Sequence, residues 1–417
     1  MTDIKEILSS FEEALKSENF SSVEELIKQL EKLSETKSDV NEFYSQAVAD
    51  ALEIFKGKFS SNKVKKLISN VEALVEKNPE DDKLIKNYAK VLRTSLLAMS
   101  TKGQPNVMRE IIDYLEILAT NNPNNIVIHE ELSLASHEIA NYWKSRGDFK
   151  ALRDRTQKFR KLAEKFPDNE KIKLNLTKAL VLEIDSSRKS DISKIDSLLI
   201  EIQRLSESMP MNIGLQLEWV HAYRTAMDRS YEKPEDAKRW LSSMKKIAEN
   251  RTDTSFKLEL AKGYLNAIAN LGDREQNKEE LSKHLDELEM LADTTKDNLE
   301  LQTVYAQGLI VSLKIIGISD KNLVKEILDE LEELVELYPK NKIIIEVYVE
   351  SLVGIIGLYT QEQNAKEITP LVKRFGKLDE KFPDDETIQK TYDMLMEQLK
   401  FLGFKREKKK PRRIGYM

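Results

Sequence analysis

Residues 107–123 read VMREIIDYLEILATNNP and contain the pattern that decides the fold. Ile111, Leu115 and Leu118 are four and three residues apart, which places them on one face of a helix. Pro123 follows five residues after Leu118. A proline lacks an amide donor and disfavours helix in the residue before it. The stretch therefore predicts an amphipathic helix that ends just before Pro123.

The same pattern occurs nine times along the chain at a nearly constant interval. The leucine-type residues of the nine copies, 41 to 44 residues apart, are Leu33, Leu74, Leu118, Leu162, Leu205, Ile247, Leu291, Leu334 and Leu378. The residues five positions further on are Ser38, Pro79, Pro123, Pro167, Pro210, Thr252, Lys296, Pro339 and Pro383. A fixed period in this range is typical of stacked helical repeats.

A second stretch with helical apolar periodicity lies between successive copies of this pattern. Between Asp81 and Ser100, for example, Leu84, Tyr88 and Leu92 recur at helical spacing. Each unit is therefore predicted to be a helical hairpin, in which a longer helix A precedes the marked helix B. Asp and Asn are good N-terminal caps. The candidates to cap A helices are Asp81, Asn124, Asp168, Asp253, Asp297, Asn341 and Asp384.

One hairpin cannot bury its apolar face alone, so neighbouring hairpins must stack. We expect an all-α fold, a right-handed α-α superhelix (solenoid) of about nine stacked hairpins over residues 1–400. The units are expected to end near residues 38, 79, 123, 167, 210, 252, 296, 339 and 383, followed by a capping helix to about 400. In the last unit, Thr369 and Pro370 resemble a cap and first turn, which predicts that the final B helix starts near 369. Residues 401–417 are expected to be a basic tail.

The unit resembles the tetratricopeptide-repeat superfamily of α-solenoids. The resemblance rests on the helix-ending prolines, on an aromatic residue nine positions later and on a small residue beside it. The aromatic residues are Tyr88, Trp219, Tyr305, Tyr348 and Tyr392, and the small ones are Ala89, Ser133, Thr177 and Ala306. The period of about 43 departs from the family's 34, and the small position is Lys262 or Asp393 in some units. HEAT-type repeats also have a period near 43 and remain an alternative.

Composition limits the class of protein. The 417 residues include no cysteine, which excludes disulfides, thiolate metal sites and a cysteine nucleophile. No stretch approaches the ~20 uncharged apolar residues of a membrane span. Residues 1–17 carry four acidic side chains, which is atypical of a signal or transit peptide. We therefore expect a cytoplasmic protein with no membrane span.

Few chemical motifs occur in the chain. Phosphate loops, dinucleotide-binding glycine motifs and calcium loops are absent from the sequence. His129 and His137 are eight residues apart, whereas helical zinc pairs need a spacing of four. Both histidines are expected to be ordinary, partly exposed residues, and His284 is expected to pack in the core. We expect no enzyme activity and no cofactor.

In the resembled family, A helices line the surface that binds ligands. The residues 11 and 14 positions after each proline position, such as Lys90 and Arg93 after Pro79, are expected to face that groove. In the N-terminal half the candidates form a cationic strip that includes three amides: Asn87, Lys90, Arg93, His137, Asn175, Lys178, His221, Arg224 and Asn266. Later units give Gln307, Glu350 and Met394 with apolar Ile310 and Val353, a more neutral stretch. Such a strip predicts capture of an acidic peptide or a terminal carboxylate. Scattered surface cations are the alternative interpretation.

The charge of the chain is asymmetric. Residues 405–413 hold seven basic residues and one acidic residue, a net +6, whereas the whole chain carries −6, so the remainder carries −12. The basic residues of the tail are Lys405, Arg406, Lys408, Lys409, Lys410, Arg412 and Arg413. They predict salt-dependent contact with RNA or a ribosome. Alternatives are a solvated segment, an anionic membrane surface, or an acidic surface of this protein or a neighbour.

The function expected from the sequence is therefore a protein-interaction scaffold or adaptor. Its protein or peptide partner, with an acidic peptide as one candidate, would lie in the A-helix groove. The alternative is an RNA- or ribosome-associated factor attached through the basic tail. The identity of the partner and the oligomeric state are left open.

Overall fold

Apolar residues that recur every three or four positions form helices throughout the computed structural model. The structure describes residues 4–188, 190–230, 234–249, 251–272 and 277–404, and this part of the chain contains no β-strand. Its α-helices are α1 Ile4–Lys16, α2 Phe20–Ser34, α3 Asn41–Ile54, α4 Ser61–Lys77, α5 Asp82–Ser100, α6 Pro105–Asn121, α7 Ile126–Ser145, α8 Phe149–Lys165, α9 Glu170–Asp185, α10 Ile192–Glu207, α11 Ile213–Asp228, α12 Pro234–Ala248, α13 Thr254–Leu271, α14 Lys278–Asp293, α15 Leu299–Ile316, α16 Lys321–Leu337, α17 Lys342–Gln361, α18 Ala365–Lys381 and α19 Glu386–Gln398. Short 3-10 helices lie at Ser38–Val40 and Leu399–Leu402.

In chain order these helices make nine A–B pairs followed by α19, as the repeat predicts. The odd-numbered helices α1 to α17 are A helices, and each even-numbered helix is the B helix of the same unit. The residue five positions after each leucine-type residue lies in the connection that follows a B helix. Pro79, for example, follows α4, which ends at Lys77, and Pro339 follows α16, which ends at Leu337. The all-α helical-repeat fold expected from the sequence is therefore confirmed.

The chain divides into two compact units, Met1–Ala222 and Tyr223–Met417, and the division falls within α11. In unit 1, α3, α5, α7 and α9 lie side by side in sequence order. In unit 2, α13, α15 and α17 do the same. The prediction that residues 1–400 form one continuous array stays a prediction.

Within each unit, a B helix packs between the A helix of its own hairpin and the next A helix. α6 contacts α5 and α7, and α14 contacts α13 and α15. Gly308 on α15 marks the closeness of this packing, because a Cβ atom there would lie 2.5 Å from Leu288 Cδ2 of α14. The remaining stripe of each A helix, which faces solvent, is called here the A-helix face.

Ion pairs link successive B helices. Arg160 of α8 donates two hydrogen bonds to Glu201 of α10, at 2.7 and 2.9 Å. Arg155 of α8, which is 6% exposed, pairs with Glu116 of α6. Burial acts to raise the pKa of Glu116, but Arg155 and a neighbouring lysine outweigh it and hold that pKa below its usual value. These pairs connect helices that are one repeat apart.

The caps of the A helices differ in part from the prediction. Asp81, Asp253 and Asn341 cap their helices as expected. In the other four repeats the capping position is one residue later than predicted, at Asn125, Asn169, Asn298 and Asp385. The turn uses two residues between the proline position and the helix in most units, so the residue directly after the proline is still in the turn. The side chain of Asn125 makes no capping hydrogen bond.

The predicted start of the last B helix is wrong. α18 begins at Ala365 with Asn364 as its cap, and Pro370 lies inside the helix. Pro370 is the sixth residue of α18, so its missing N–H leaves the carbonyl of Lys366 without its helical hydrogen bond, and its ring crowds that carbonyl. Lys366 and Pro370 are both exposed, so that water can satisfy the carbonyl.

α17 is the one helix in the described ranges with the length and composition to cross a membrane, with a mean hydropathy of 1.7. Half of that stretch is buried within the protein, and α17 packs against α15, α16 and α18. A buried core helix has the same composition. The expectation that the chain has no membrane span stays a prediction.

Candidate partner-binding face of the A helices

Lys90 and Arg93 of α5 lie on the A-helix face and are paired with carboxylates of this chain. Lys90 Nζ is 2.7 Å from Asp50 Oδ1 of α3. Arg93 Nε is 2.5 Å from Glu131 Oε2 of α7, and its Nη2 is 3.4 Å from Glu53 Oε2 of α3. The Arg93 side chain is only 11% exposed. These two cations therefore link three neighbouring A helices.

Two of the three amides of the predicted strip, Asn87 and Asn175, also join A helices. Asn87 Nδ2 donates to the Glu42 carbonyl at 3.1 Å and to Ser45 Oγ at 3.0 Å. Asn175 is buried and its Nδ2 donates to Ser133 Oγ at 2.9 Å. In both cases the acceptors belong to the preceding A helix. The amide donors are used within the fold, where an unsatisfied group would be costly.

His137 is not a cation at neutral pH, although the sequence placed it in a cationic strip. Burial, together with the charge of Lys178, lowers the pKa of His137 to about 4. Lys178 is half-buried on α9 and forms no hydrogen bond or ion pair with any described residue. His221 Nδ1 lies 3.6 Å from Glu218 Oε2 on its own helix. Lys178 is thus the strip cation whose substitution would break no ion pair.

The predicted residues of unit 2 repeat the arrangement found in unit 1. Arg224 Nε is 2.7 Å from Glu259 Oε2 of α13, and its Nη1 is 3.7 Å from Asp228 Oδ2. Asn266 Nδ2 donates to Asp228 Oδ1 at 2.6 Å. The guanidinium and the amide therefore join α11 to α13.

Charges on the A-helix face of unit 1 alternate from helix to helix. α3 and α7 contribute mainly carboxylates to this face, and α5 and α9 mainly cations. Further pairs are Lys83–Glu42 at 3.2 Å and Lys171–Glu130 at 2.8 Å. Sequence reasoning identified the cations but missed the carboxylates one repeat away. An acidic partner would compete with this internal pairing, and its binding stays a prediction.

The predicted environment is correct for two histidines and wrong for a third: His137 is half-buried, in line with the partial exposure expected. His284 packs as expected, with its ring 5.8 Å from that of Tyr264. His129 was expected to be partly exposed, but it is 3% exposed and lies 4.5 Å from the ring of Phe166. Burial lowers its pKa. The part of the chain that the structure describes holds no group of three His, Asp or Glu side chains suited to a metal ion.

A cleft of about 550 Å³ lies on the A-helix face of unit 2, between α17 and α19. Its apolar lining includes Ile345 and Ile388, which are buried, and Val349 and Val353, which are half-buried. α17 packs closely against α15 but not against α19, which leaves this part of α17 uncovered. We call this site the α17–α19 cleft. Glu350 and Val353 line it, as the groove positions predict, whereas Met394 does not.

Carboxylates surround the apolar lining of the α17–α19 cleft. They are Glu346, Glu350, Asp384, Asp385 and Glu386, and Lys342 is the one cation in the lining. Three of them have other contacts: Glu350 pairs with Lys314 at 2.7 Å, Glu386 pairs with Lys390 and Asp385 caps α19. Glu346 and Asp384 are exposed and make no hydrogen bond or ion pair among the described residues. The cleft is therefore apolar inside and negative at its rim.

Open space continues along α17 beyond the cleft. A Cβ atom added at Gly354 or Gly357 would meet no atom within 4 Å. Neither glycine has a positive φ, so the helix does not require glycine at these positions. A side chain of a bound segment can therefore approach the backbone of α17 closely here.

The second predicted site lies outside the described residues. The structure does not describe any of its seven residues, which are Lys405, Arg406, Lys408, Lys409, Lys410, Arg412 and Arg413.

No family model matches the chain, and no curated protein is significantly similar to it in sequence. The likeness to tetratricopeptide-type repeats therefore stays a resemblance.

Proposed function

We propose that this chain is a non-enzymatic interaction scaffold with tetratricopeptide-like repeats, which holds a segment of a partner protein on an A-helix face. The observation that carries the proposal is the α17–α19 cleft, with its aliphatic lining and negative rim. Covering apolar surface supplies binding energy, and charged groups at the rim orient the bound segment. Such a cleft suits a segment that combines aliphatic or aromatic side chains with Lys or Arg. We also propose a cytoplasmic location, from the absence of cysteine in the sequence.

The proposal is tested by capture from a native lysate, with captured proteins identified by mass spectrometry. Val353→Lys places a long side chain in the cleft, and Met290→Lys makes a matched change at an exposed site on the B helix α14. A partner kept by Met290→Lys and lost by Val353→Lys supports the proposal. Equal capture by both variants rejects it. Unchanged circular dichroism of both variants is the control for folding.

An acidic partner on the A-helix face of unit 1 is tested separately at Lys178. Lys178→Glu reverses a charge without breaking an ion pair, whereas reversal at Arg93 would leave Glu131 unpaired. Loss of an acidic peptide with Lys178→Glu would support this site. Unchanged binding of the peptide would reject it.

The basic tail favours a second candidate function, association with RNA or a ribosome. Its net charge of +6 on an acidic chain is the supporting observation. Deletion of residues 405–417 is expected to abolish co-sedimentation with ribosomes at low salt, because phosphate contacts release counterions and weaken steeply as salt rises. Co-sedimentation that survives the deletion would reject this candidate.

A further inference from the structure

We propose that residues 405–417 of this same chain bind in the α17–α19 cleft, so that a partner must displace them. The proposal rests on the proposed function, since it names the first occupant of the same site. It makes the chain a scaffold whose cleft is closed by its own tail until a competing segment arrives.

Charge complementarity is the first argument. The rim of the cleft carries five carboxylates and one ammonium group, and two of the carboxylates, Glu346 and Asp384, have no partner among the described residues. Residues 405–413 carry a net +6. Pairing them with the rim would place opposite charges together at a site where the internal pairing of A helices stops.

Apolar complementarity is the second argument. After the basic run, the sequence continues as Ile414, Gly415, Tyr416 and Met417. The cleft offers an aliphatic lining that includes half-buried Val349 and Val353. A basic run next to apolar residues thus matches a negative rim around an apolar interior, and neither half of the match alone would distinguish this cleft from other acidic surfaces.

Reach is the third argument. The described chain ends at Phe404, which follows the 3-10 helix Leu399–Leu402 at the far end of α19. α19 and this 3-10 helix together extend about 28 Å. Eight extended residues span about the same distance. A tail that returns along α19 would therefore bring Arg412 and Arg413 to the end where Asp384 and Asp385 stand, and residues 414–417 must turn back there to lie against the apolar lining.

Engineered cysteine pairs test this arrangement cleanly, because the chain has no native cysteine. Arg413→Cys is combined with Asp384→Cys at the cleft or, as a matched control, with Lys373→Cys at an exposed site on α18. We expect a disulfide within one chain to form at least about tenfold faster in the first pair, and Val353→Lys to remove that advantage. Equal rates, or a covalent dimer formed through the tail of a second copy, would overturn the proposal.

Competition gives an independent measurement. A fluorescent peptide of residues 405–417 is titrated into the full chain and into a chain lacking these residues. A tethered segment acts at an effective concentration in the millimolar range. We therefore expect the peptide to bind the truncated chain at least about tenfold more tightly, with weaker binding at higher salt. Equal binding to both chains, or no binding to either, would contradict the proposal.

The two proposals fail in different ways. If the truncated chain captures a partner through Val353 while the cysteine pairs behave alike, the tail proposal is wrong and the scaffold proposal stands. If the tail cross-links at the cleft but no captured protein depends on Val353, the scaffold proposal is wrong and the tail contact stands.

Discussion

Two glycines in neighbouring A helices of unit 2 should respond in opposite ways to substitution by alanine. Gly308 lies in α15 and Gly354 in α17, and both are in helix interiors. At Gly354 an added Cβ would meet no atom within 4 Å. At Gly308 it would lie 2.5 Å from Leu288 Cδ2 and 3.8 Å from Ile268 Cδ1. The contrast measures how closely a B helix packs between two A helices.

The magnitudes follow from two contributions. Alanine in a helix interior is favoured over glycine by about 0.5–1 kcal/mol, so Gly354→Ala should stabilise the fold by that amount. Gly308→Ala gains the same contribution but needs Leu288 to move by about 1 Å to reach normal van der Waals separation. Overpacking of this kind costs about 1–3 kcal/mol. Since the helix contribution cancels, the two variants should differ by about 1–3 kcal/mol.

Urea unfolding followed by far-ultraviolet circular dichroism measures the difference. A change of 1 kcal/mol shifts the midpoint by about 0.3–1 M urea for ordinary denaturant slopes. Because repeat proteins need not unfold in one step, hydrogen exchange of α15 and α17 amides provides a local check. If Gly308→Ala stabilises the protein as much as Gly354→Ala, the close packing of α14 against α15 is refuted.

Three further predictions concern single side chains. The pKa of His137 is lowered to about 4 in the fold, so as the pH falls the unfolded chain binds this proton first. The stability of the wild-type protein should therefore decrease between pH 6.5 and about 4, by at most about 3 kcal/mol. His137→Gln should lack this part of the pH dependence in urea unfolding, and an identical pH profile would contradict the prediction. Arg155→Met should cost about 1–3 kcal/mol because it removes a buried partner of Glu116, while Lys158→Met, at a 58% exposed side chain paired with the same carboxylate, should cost less than about 1 kcal/mol; equal losses in thermal unfolding would show that burial does not matter here. Asn341→Ala should cost about 1–2 kcal/mol, because Asn341 caps α17 through two backbone amides, and amide exchange in the first turn of α17 should accelerate, whereas unchanged exchange would exclude the cap.

The interpretation of the A-helix face changes when the carboxylates are included. From the sequence, Lys90 and Arg93 are interpreted as unpaired cations, because a pattern along one helix does not show which residues of neighbouring helices lie beside it. Asp50 and Glu131, the carboxylates that neutralise them, come from the helices on either side. Paired surface charges add little to stability individually. Their regular recurrence one repeat apart is consistent with a role in setting the register of neighbouring A helices.

The α17–α19 cleft could be predicted only in part from the repeat. Glu350 and Val353 could be placed on the A-helix face from their position in the repeat. The position in the repeat does not report that α19 packs less closely on α17 than α15 does, nor that Glu346 and Asp384 make no ion pair among the described residues.

The sequence by itself determined the helices, their pairing into nine hairpins and the loops after Pro79, Pro123 and Pro339, because helical periodicity and the missing amide of proline act over a few residues. It placed four caps one residue too early, for example at Asp168 instead of Asn169, and it started α18 too late, near 369 instead of at Ala365, because single residues in a turn have several compatible registers. Only the tertiary structure decided which charges are paired. Opposite charges some forty residues apart meet only when two A helices lie side by side, and a local pattern contains no information on that contact.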